Sequence, residues 1–314
     1  MKVLNLLSDK KYLSGKNLAE ALSISRAAVH KQINTLKRNG YVIESSPKGY
    51  KLCAKDDVLS EQELLLAVKK PLGIFKKLLY YKKINSTQTK LKTIADAVAR
   101  EGVIVCADVQ TGGYGRMKRE WSSSNGGLWF SMLLKPALRP DEVSKLALII
   151  SLALNRVFKQ KYGVKTNIKW PNDILFKGRK ASGILVDMSA EQDIVNWVVA
   201  GIGINVNNVL PKELKNISVS LGEILNKFVG RAQLLAQFLC VFDEIYAAFK
   251  KSGFKIFVKE YNDNIVFINE SIKIDTGFDI IEGVNLGIDG DGKLILKTPK
   301  GLEKITAGTV VKGK

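Results

Sequence analysis

Three glycines fall within four positions of Gln110-Thr-Gly-Gly-Tyr-Gly-Arg-Met-Lys-Arg-Glu-Trp121. Glycine lets backbone amides approach an anion closely. Arg116, Lys118 and Arg119 follow at once and can neutralise phosphate charge, and Trp121 can pack on a flat ring. The segment lacks the Gly-Lys-Ser/Thr end of a P-loop and is not the usual dinucleotide fingerprint, so by itself it also fits a mobile hairpin loop.

Three further segments carry groups of the same kind. In Lys169-Trp-Pro-Asn-Asp173 the proline stiffens a turn, and Asn172 and Asp173 can fix a sugar, a metal-phosphate or a neighbouring lysine. Lys177-Gly-Arg-Lys-Ala-Ser-Gly-Ile-Leu185 sets Lys180 beside small residues and a buried strand, where a cation can reach a bound anion. Gly201-Ile-Gly-Ile-Asn205 is an apolar strand ending in an amide. Each segment also fits a plain turn, a solvated basic turn or a core strand.

Composition narrows the chemistry. His30 is the only histidine, which excludes Ser-His-Asp and Cys-His machinery and any His-rich metal site. Cys53, Cys106 and Cys240 are an odd, widely spaced set with no C-x-x-C pair, which argues against a disulfide framework or zinc finger. Catalysis must then rest on Lys, Arg, carboxylates and backbone amides, groups suited to reactions of phosphates and other anions. The formal net charge is +19. Residues 1–56 hold 11 Lys+Arg against 4 Asp+Glu, residues 57–266 hold 31 against 19, and residues 267–314 hold 7 against 7. The charge therefore sits on the first two segments and suits polyanionic or acidic partners. No apolar run reaches bilayer length by this reading and the start is too short for a signal peptide, so a cytoplasmic protein without a membrane partner is expected.

The elements that must position these residues can be read from periodicity. The first segment predicts three short helices and a hairpin. Val3, Leu4, Leu6 and Leu7 form an apolar stripe, and 18–22 a second helix. Ser25 caps a third over about 26–39, stopped at Gly40. Val29, Ile33 and Leu36 then face the core and leave Arg26, Ala27, His30, Lys31 and Asn34 outward. Strands at 41–43 and 49–52 flank a turn. This is the pattern of a winged helix-turn-helix with a short, basic outer face, and DNA binding is expected. A helix at 61–68 leads into a mixed region with strands at 103–107, 128–134, 184–186 and 197–205 and helices at 145–162 and 232–250. From about Phe267 short strands and the hairpin turn Asp289-Gly-Asp-Gly292 suggest a small β-barrel.

Taken together, the order and spacing of Ser86-Thr87-Gln88, the Gly-rich segment, the Lys-Trp-Pro-Asn-Asp segment, the Lys180 segment and Gly-Ile-Gly-Ile-Asn205 resemble the biotin–protein ligase family over essentially all 314 residues. With its head, the chain is similar to the bifunctional form, a biotin operon repressor and ligase. The resemblance implies an α+β chain: a winged helix-turn-helix at 1–58, a mixed-sheet ligase domain akin to lipoate ligases and class II aminoacyl-tRNA synthetases at 59–266, and an SH3-like barrel at 267–314. It implies ATP with magnesium and biotin as substrate, a biotin carboxyl carrier domain and operator DNA as partners, and a homodimer when adenylate is bound. Biotin contacts fall to Ser86, Thr87, Gln88, Gln110, Tyr114, Gly115, Arg116 and Lys180. Adenylate contacts fall to Gly113, Arg119, Trp121, Lys169, Asn172 and Asn205, and catalysis to Lys180, Arg116 and Asp173, with no resident metal. DNA contacts fall to Gly15, Lys16, Ser25, Arg26, Ala27, His30, Lys31 and Asn34. Two departures stand out: the family's first loop Arg is Tyr114, and its second Gly is Lys118. A lipoate–protein ligase of the same fold, and a biotin-sensing repressor without ligase activity, remain as rival readings.

Overall fold

The computed structural model describes residues 3–8, 11–38, 41–55, 57–68 and 71–312. Gly40, the expected helix stop, and the side chain of Cys53 lie outside what is described.

The head contains α1 (Gly15–Leu22), α2 (Arg26–Arg38), β1 (Tyr41–Ser46) and β2 (Gly49–Lys55). Ser14 caps α1 by accepting the Asn17 amide, and Ser25 accepts the Ala28 amide at the start of α2. Val29, Ile33 and Leu36 are buried, while Arg26, Ala27, His30, Lys31 and Asn34 are exposed, as the helical period requires. The first expected helix does not form: residues 3–6 are a turn, because burying Val3 and Leu4 against the head's core needs no regular helix. Tyr41 joins the head to α3 (Glu61–Ala67) through a buried 2.6 Å hydrogen bond donated to Glu63.

The central unit comprises β3 (Lys77–Ile84), α4 (Thr87–Ala95), β4 (Val103–Gln110), β5 (Leu128–Leu134), α5 (Ser144–Tyr162), β6 (Asn167–Lys169), β7 (Asp173–Phe176), β8 (Arg179–Glu191), β9 (Ile194–Ile204), α6 (Leu221–Leu225), α7 (Arg231–Ser252) and α8 (Val258–Asn262). Its sheet runs β3-β4-β5-β9-β8-β7-β6, with β3 parallel to β4 and the remaining pairs antiparallel. One face packs on α5 and α7. The other packs on α4 through Val105, Leu133 and Val199. By length and composition α7 could cross a bilayer, which corrects the expectation that no such run exists. Its apolar residues, Leu234, Leu235, Phe238, Leu239, Phe242 and Ile245 among them, are buried against the sheet and α5, which accounts for their number.

The C-terminal unit is a five-stranded antiparallel sheet of β10 (Ser271–Asp275), β11 (Ile280–Ile288), β12 (Leu294–Thr298), β13 (Gly301–Ile305) and β14 (Thr309–Lys312), ordered β13-β12-β11-β10-β14. Asp289 accepts the Asp291 and Lys293 amides in the expected hairpin turn. The sheet is anchored to the central unit where Trp170 donates to the Gly292 carbonyl and Asn262 both donates to the Ile288 carbonyl and accepts from the Ile288 amide.

Candidate active site

The cavity exists because two strands lose their side chains on one face. Along β9 the face that packs on α4 reads Trp197, Val199, Gly201, Gly203, and across β5 it reads Leu133, Ser131, Trp129. Along β9 the apolar core under α4 thus gives way to a floor of glycine. A Cβ at Gly201 would lie 2.5 Å from Gln88 Oε1, and one at Gly203 would lie 2.5 Å from Trp121 Nε1. Gly183, opposite Gly203 on β8, lies under the same indole. The cavity encloses about 280 Å³.

One end is lined by neutral hydrogen-bonding groups. Ser86 caps α4, which places Thr87 and Gln88 in the helix's first turn. Thr87 N and Oγ1 donate to Gln110 Oε1 at 2.8 and 3.0 Å, and Gln110 Nε2 donates to Ser123. Ser131 donates to Gln88 Oε1, whose amide donates to the Val199 carbonyl and to Asp187. Ser86, Thr87, Gln88 and Ser131 are all buried. A connected network of this kind holds its rotamers and suits a small polar ring.

Cations gather at the other end. A bulge in the β7–β8 ladder shifts the pairing between Ser182 and Lys180, so Lys180 joins Gly183's face instead of the opposite one. Its Nζ lies 2.8 Å from Asp173 Oδ1 and 4.9 Å from the centroid of the Trp121 ring. Asn172 accepts from Arg116 at 3.4 Å and donates to the Ile184 carbonyl. Burial pushes the Arg116 guanidinium and the Lys169 ammonium below their ordinary pKa values, and Asp173 only partly offsets this. Neighbouring cations press the same way: Arg119 on both, and Lys180 on Lys169. An anion bound here would supply the missing counter-charge. Asn205 is buried, donating weakly to the Lys180 carbonyl at 3.4 Å and accepting from Asn208.

The Gly-rich segment is a hairpin over the cavity. Gln110 bridges Ser123, Tyr114 bridges Glu120, and Gly115 N donates to the Arg119 carbonyl. Its tip places Met117 and Lys118 in the left-handed region, both at φ 55°. The left-handed positions of the tip are thus not among the three glycines, and one of them is Lys118, where the family pattern has a glycine.

Of the sequence-derived ligand contacts, all but one line the cavity. Gly113 does not: a Cβ there would lie 2.6 Å from Ser123 Oγ, so this glycine serves the hairpin's closure. Sequence reasoning missed Ser131, Leu210, Leu214, Ile217, Thr309 and Val310, which also line it. Glycines at every second position of a buried strand were a usable sign for the floor. Nothing local marks Thr309 and Val310, which reach the cavity only through the packing of the C-terminal sheet.

Comparison with known proteins agrees with this geometry. Residues 80–205 match the model of the biotin/lipoate A/B protein ligase family, residues 1–51 an HTH domain, and residues 267–313 the biotin protein ligase C-terminal domain. The chain is 36% identical over 311 residues to the bifunctional ligase/repressor BirA of Bacillus subtilis, covering 98% of this chain and 95% of that one. It is 30% identical to the protein of that name from Escherichia coli, over 95% and 92% of the two chains. A solved biotin protein ligase from Aquifex aeolicus, in complex with biotin and ATP, superposes with a TM-score of 0.68 at 31% identity, covering 76% of this chain and all of that one. With a helix-turn-helix head, a glycine-floored cavity and a relative 36% identical over 98% of its length, the chain belongs to the biotin protein ligase family in its bifunctional ligase/repressor form.

Proposed function

We propose that the cavity holds biotin with its ureido ring among Ser86, Thr87, Gln88 and Gln110, its chain under Tyr114 and Gly115, and its carboxylate toward Lys180. ATP, entering with magnesium as its counter-ion, lies across Arg116, Arg119, Lys169 and Asn172, with adenine against Trp121 and Asn205. The observation that carries this reading is the polarity of one cavity: a neutral hydroxyl–amide network at one end, and at the other four basic side chains, Arg116, Arg119, Lys169 and Lys180, against the two carboxylates Asp173 and Glu120.

The chemistry follows from that layout. A biotin carboxylate oxygen attacks the α-phosphorus, the bond to the β-phosphate oxygen breaks, and pyrophosphate leaves. Two anions must meet, so alignment and charge neutralisation by Lys180 and Arg116 supply the main catalytic effect, while Asp173 holds Lys180 in place. A neutral lysine amine of a biotin carboxyl carrier domain then attacks the acyl carbon. A C–N bond forms, the C–O bond breaks, AMP departs and the amine's proton passes to solvent.

The head extends the reading to repression in the cytoplasm. Its exposed residues from Arg26 to Asn34, with Gly15 and Lys16 on α1, meet operator DNA. Adenylate in the cavity holds the hairpin closed, favours a homodimer and presents two heads to a two-fold operator. Domain boundaries near residues 58 and 266 fit this division of labour.

The test is pyrophosphate exchange into ATP with biotin or with lipoate. Exchange with biotin alone is expected, and exchange with lipoate alone would overturn the assignment. A chain lacking residues 1–56 should exchange normally yet fail to shift operator DNA. Lys31→Ala should weaken DNA binding and flatten its salt dependence, as the loss of a phosphate contact requires.

A further inference from the structure

Asp187 stands on the sheet face that carries the cavity but outside the cavity lining. It pairs across the sheet with Val199, and Val199 pairs with Leu133, so its rung of that face is otherwise apolar. A carboxylate in such a place needs partners. Its Oδ2 has two: Lys92 Nζ at 3.0 Å and Gln88 Nε2 at 3.2 Å. An ion pair that merely docks α4 on the sheet would need the first contact and not the second.

The second contact decides which way the Gln88 amide points. Gln88 is 3% exposed, and both hydrogens of its Nε2 are committed, one to Asp187 and one to the Val199 carbonyl at 2.9 Å. Neither of these groups can donate. The amide oxygen is therefore turned inward, to Ser131 Oγ at 3.0 Å. From there the oxygens run in a row: Ser131 Oγ lies 2.9 Å from Thr87 Oγ1, which lies 3.0 Å from Gln110 Oε1. The row has three oxygen–oxygen contacts and two hydroxyl protons to fill them. However the protons are placed, one contact lacks a hydrogen. All four side chains line the cavity, so a ligand N–H can supply it. Reversing the Gln88 amide would abolish this. Its Nε2 would donate to Ser131, Ser131 to Thr87 and Thr87 to Gln110, and the row would close on itself with no hydrogen missing.

We infer that Asp187 sets the specificity of this end of the cavity. By holding the Gln88 amide oxygen inward it keeps the row one hydrogen short, and so selects an acid whose ring carries N–H donors over one whose ring has none. The inference rests on the ureido placement proposed above. Asp187 touches no substrate and acts through Gln88, as a positioning residue. Lys92 has the opposite tendency. Its ammonium shares one oxygen with Gln88, and with no acceptor at position 187 it would draw the amide oxygen outward.

The test is the KM for biotin in pyrophosphate exchange, with kcat followed alongside. Wild type must first exchange with biotin; if it does not, the ligase reading fails and this inference with it. Asp187→Leu, which suits the apolar rung, should raise KM about tenfold, the order of one lost hydrogen bond in a dry site, and leave kcat within about twofold. Asp187→Asn keeps an oxygen where Oδ2 stands and should stay within about threefold of wild type. Lys92→Met/Asp187→Leu removes the group that pulls the amide outward and leaves the Val199 carbonyl to hold it, so KM should return most of the way. Thermal unfolding of the ligand-free variants should not follow this order, because the side chain of Asp187 is positioning a neighbour rather than supporting the sheet. A KM unmoved by Asp187→Leu overturns the inference, as does a loss with asparagine as large as with leucine. A double variant no better than Asp187→Leu overturns it too, and so do unfolding temperatures that fall and recover in step with KM.

Discussion

Arg231 Nη2 lies 3.0 Å from Asp108 Oδ1, which ties the first residue of α7 to the strand that ends at Gln110. The same guanidinium pairs with Asp57, in the segment leaving the head, and donates to the Asp57 and Gly127 carbonyls. Tyr80 completes the cluster with a 2.6 Å hydrogen bond to Asp108. Arg231 is 3% exposed, so the two carboxylates depend on it for charge balance. Removing one partner of a buried ion group leaves an uncompensated charge and costs about 3–5 kcal/mol. Arg231→Ala should lower unfolding stability by that order in denaturant titrations, and Arg231→Lys should recover only part, since ammonium cannot reproduce the forked contacts. A loss under about 1 kcal/mol would show that the cluster is solvated rather than structural.

Lys180→Ala should cut pyrophosphate exchange with biotin by at least about a hundredfold, the range for losing one preorganised charge-stabilising group. The fold should survive, because the strand is held there by backbone bonds: Lys180 N donates to the Ile217 carbonyl and its own carbonyl accepts from Val219. Circular dichroism and the exchange rate measured on the same sample check both halves. Normal turnover would move the catalytic cation to Arg116 or Lys118.

The hairpin tip offers opposite substitutions. Lys118 has φ 55°, a conformation that costs a non-glycine residue roughly 1 kcal/mol. Lys118→Gly should ease the closed tip and slow adenylate release up to about fivefold, given tenfold per 1.4 kcal/mol. Arg116→Gly should do the reverse, releasing the reactive anhydride to label lysines of albumin in the same tube. Dissociation rates of preformed adenylate separate the two, and an albumin blot as blank as wild type would exclude Arg116 as the latch.

Burial lowers the pKa of Lys169. The sign follows directly: a lysine with a depressed pKa loses its proton at a pH where an ordinary lysine keeps it. In the proposed ATP site the charged form is the one that meets phosphate, so affinity should fall as pH rises toward the ordinary lysine value, and binding there should take up protons. Calorimetry in buffers of different ionisation enthalpy reads the uptake. Lys169→Arg should remove the alkaline loss, since arginine stays charged throughout. An uptake that persists in that variant would point to another group.

Much of this protein follows from its sequence alone. The period of Val29, Ile33 and Leu36 determines which side of α2 is buried and which is left exposed, because a helix repeats every 3.6 residues whatever surrounds it. The runs at β5 and β9 are apolar enough to be strands at the sheet's centre, and the four motif segments name most of the cavity wall. Other features were settled only by packing. β3 carries three lysines and two tyrosines in mixed order, and its place beside β4 comes from parallel pairing with a distant strand. Lys180 faces the cavity because a bulge shifts its register, and no propensity encodes that shift. Gly113 stands in the Gly-rich segment but outside the cavity lining, packed where a Cβ would meet Ser123, and a glycine in the sequence looks the same for either need. Arg231 and Thr309 gain their meaning from partners far along the chain. Residue types and short-range spacing specify chemistry and local structure, whereas contacts between distant segments depend on how the finished elements pack, and only the tertiary structure decides them.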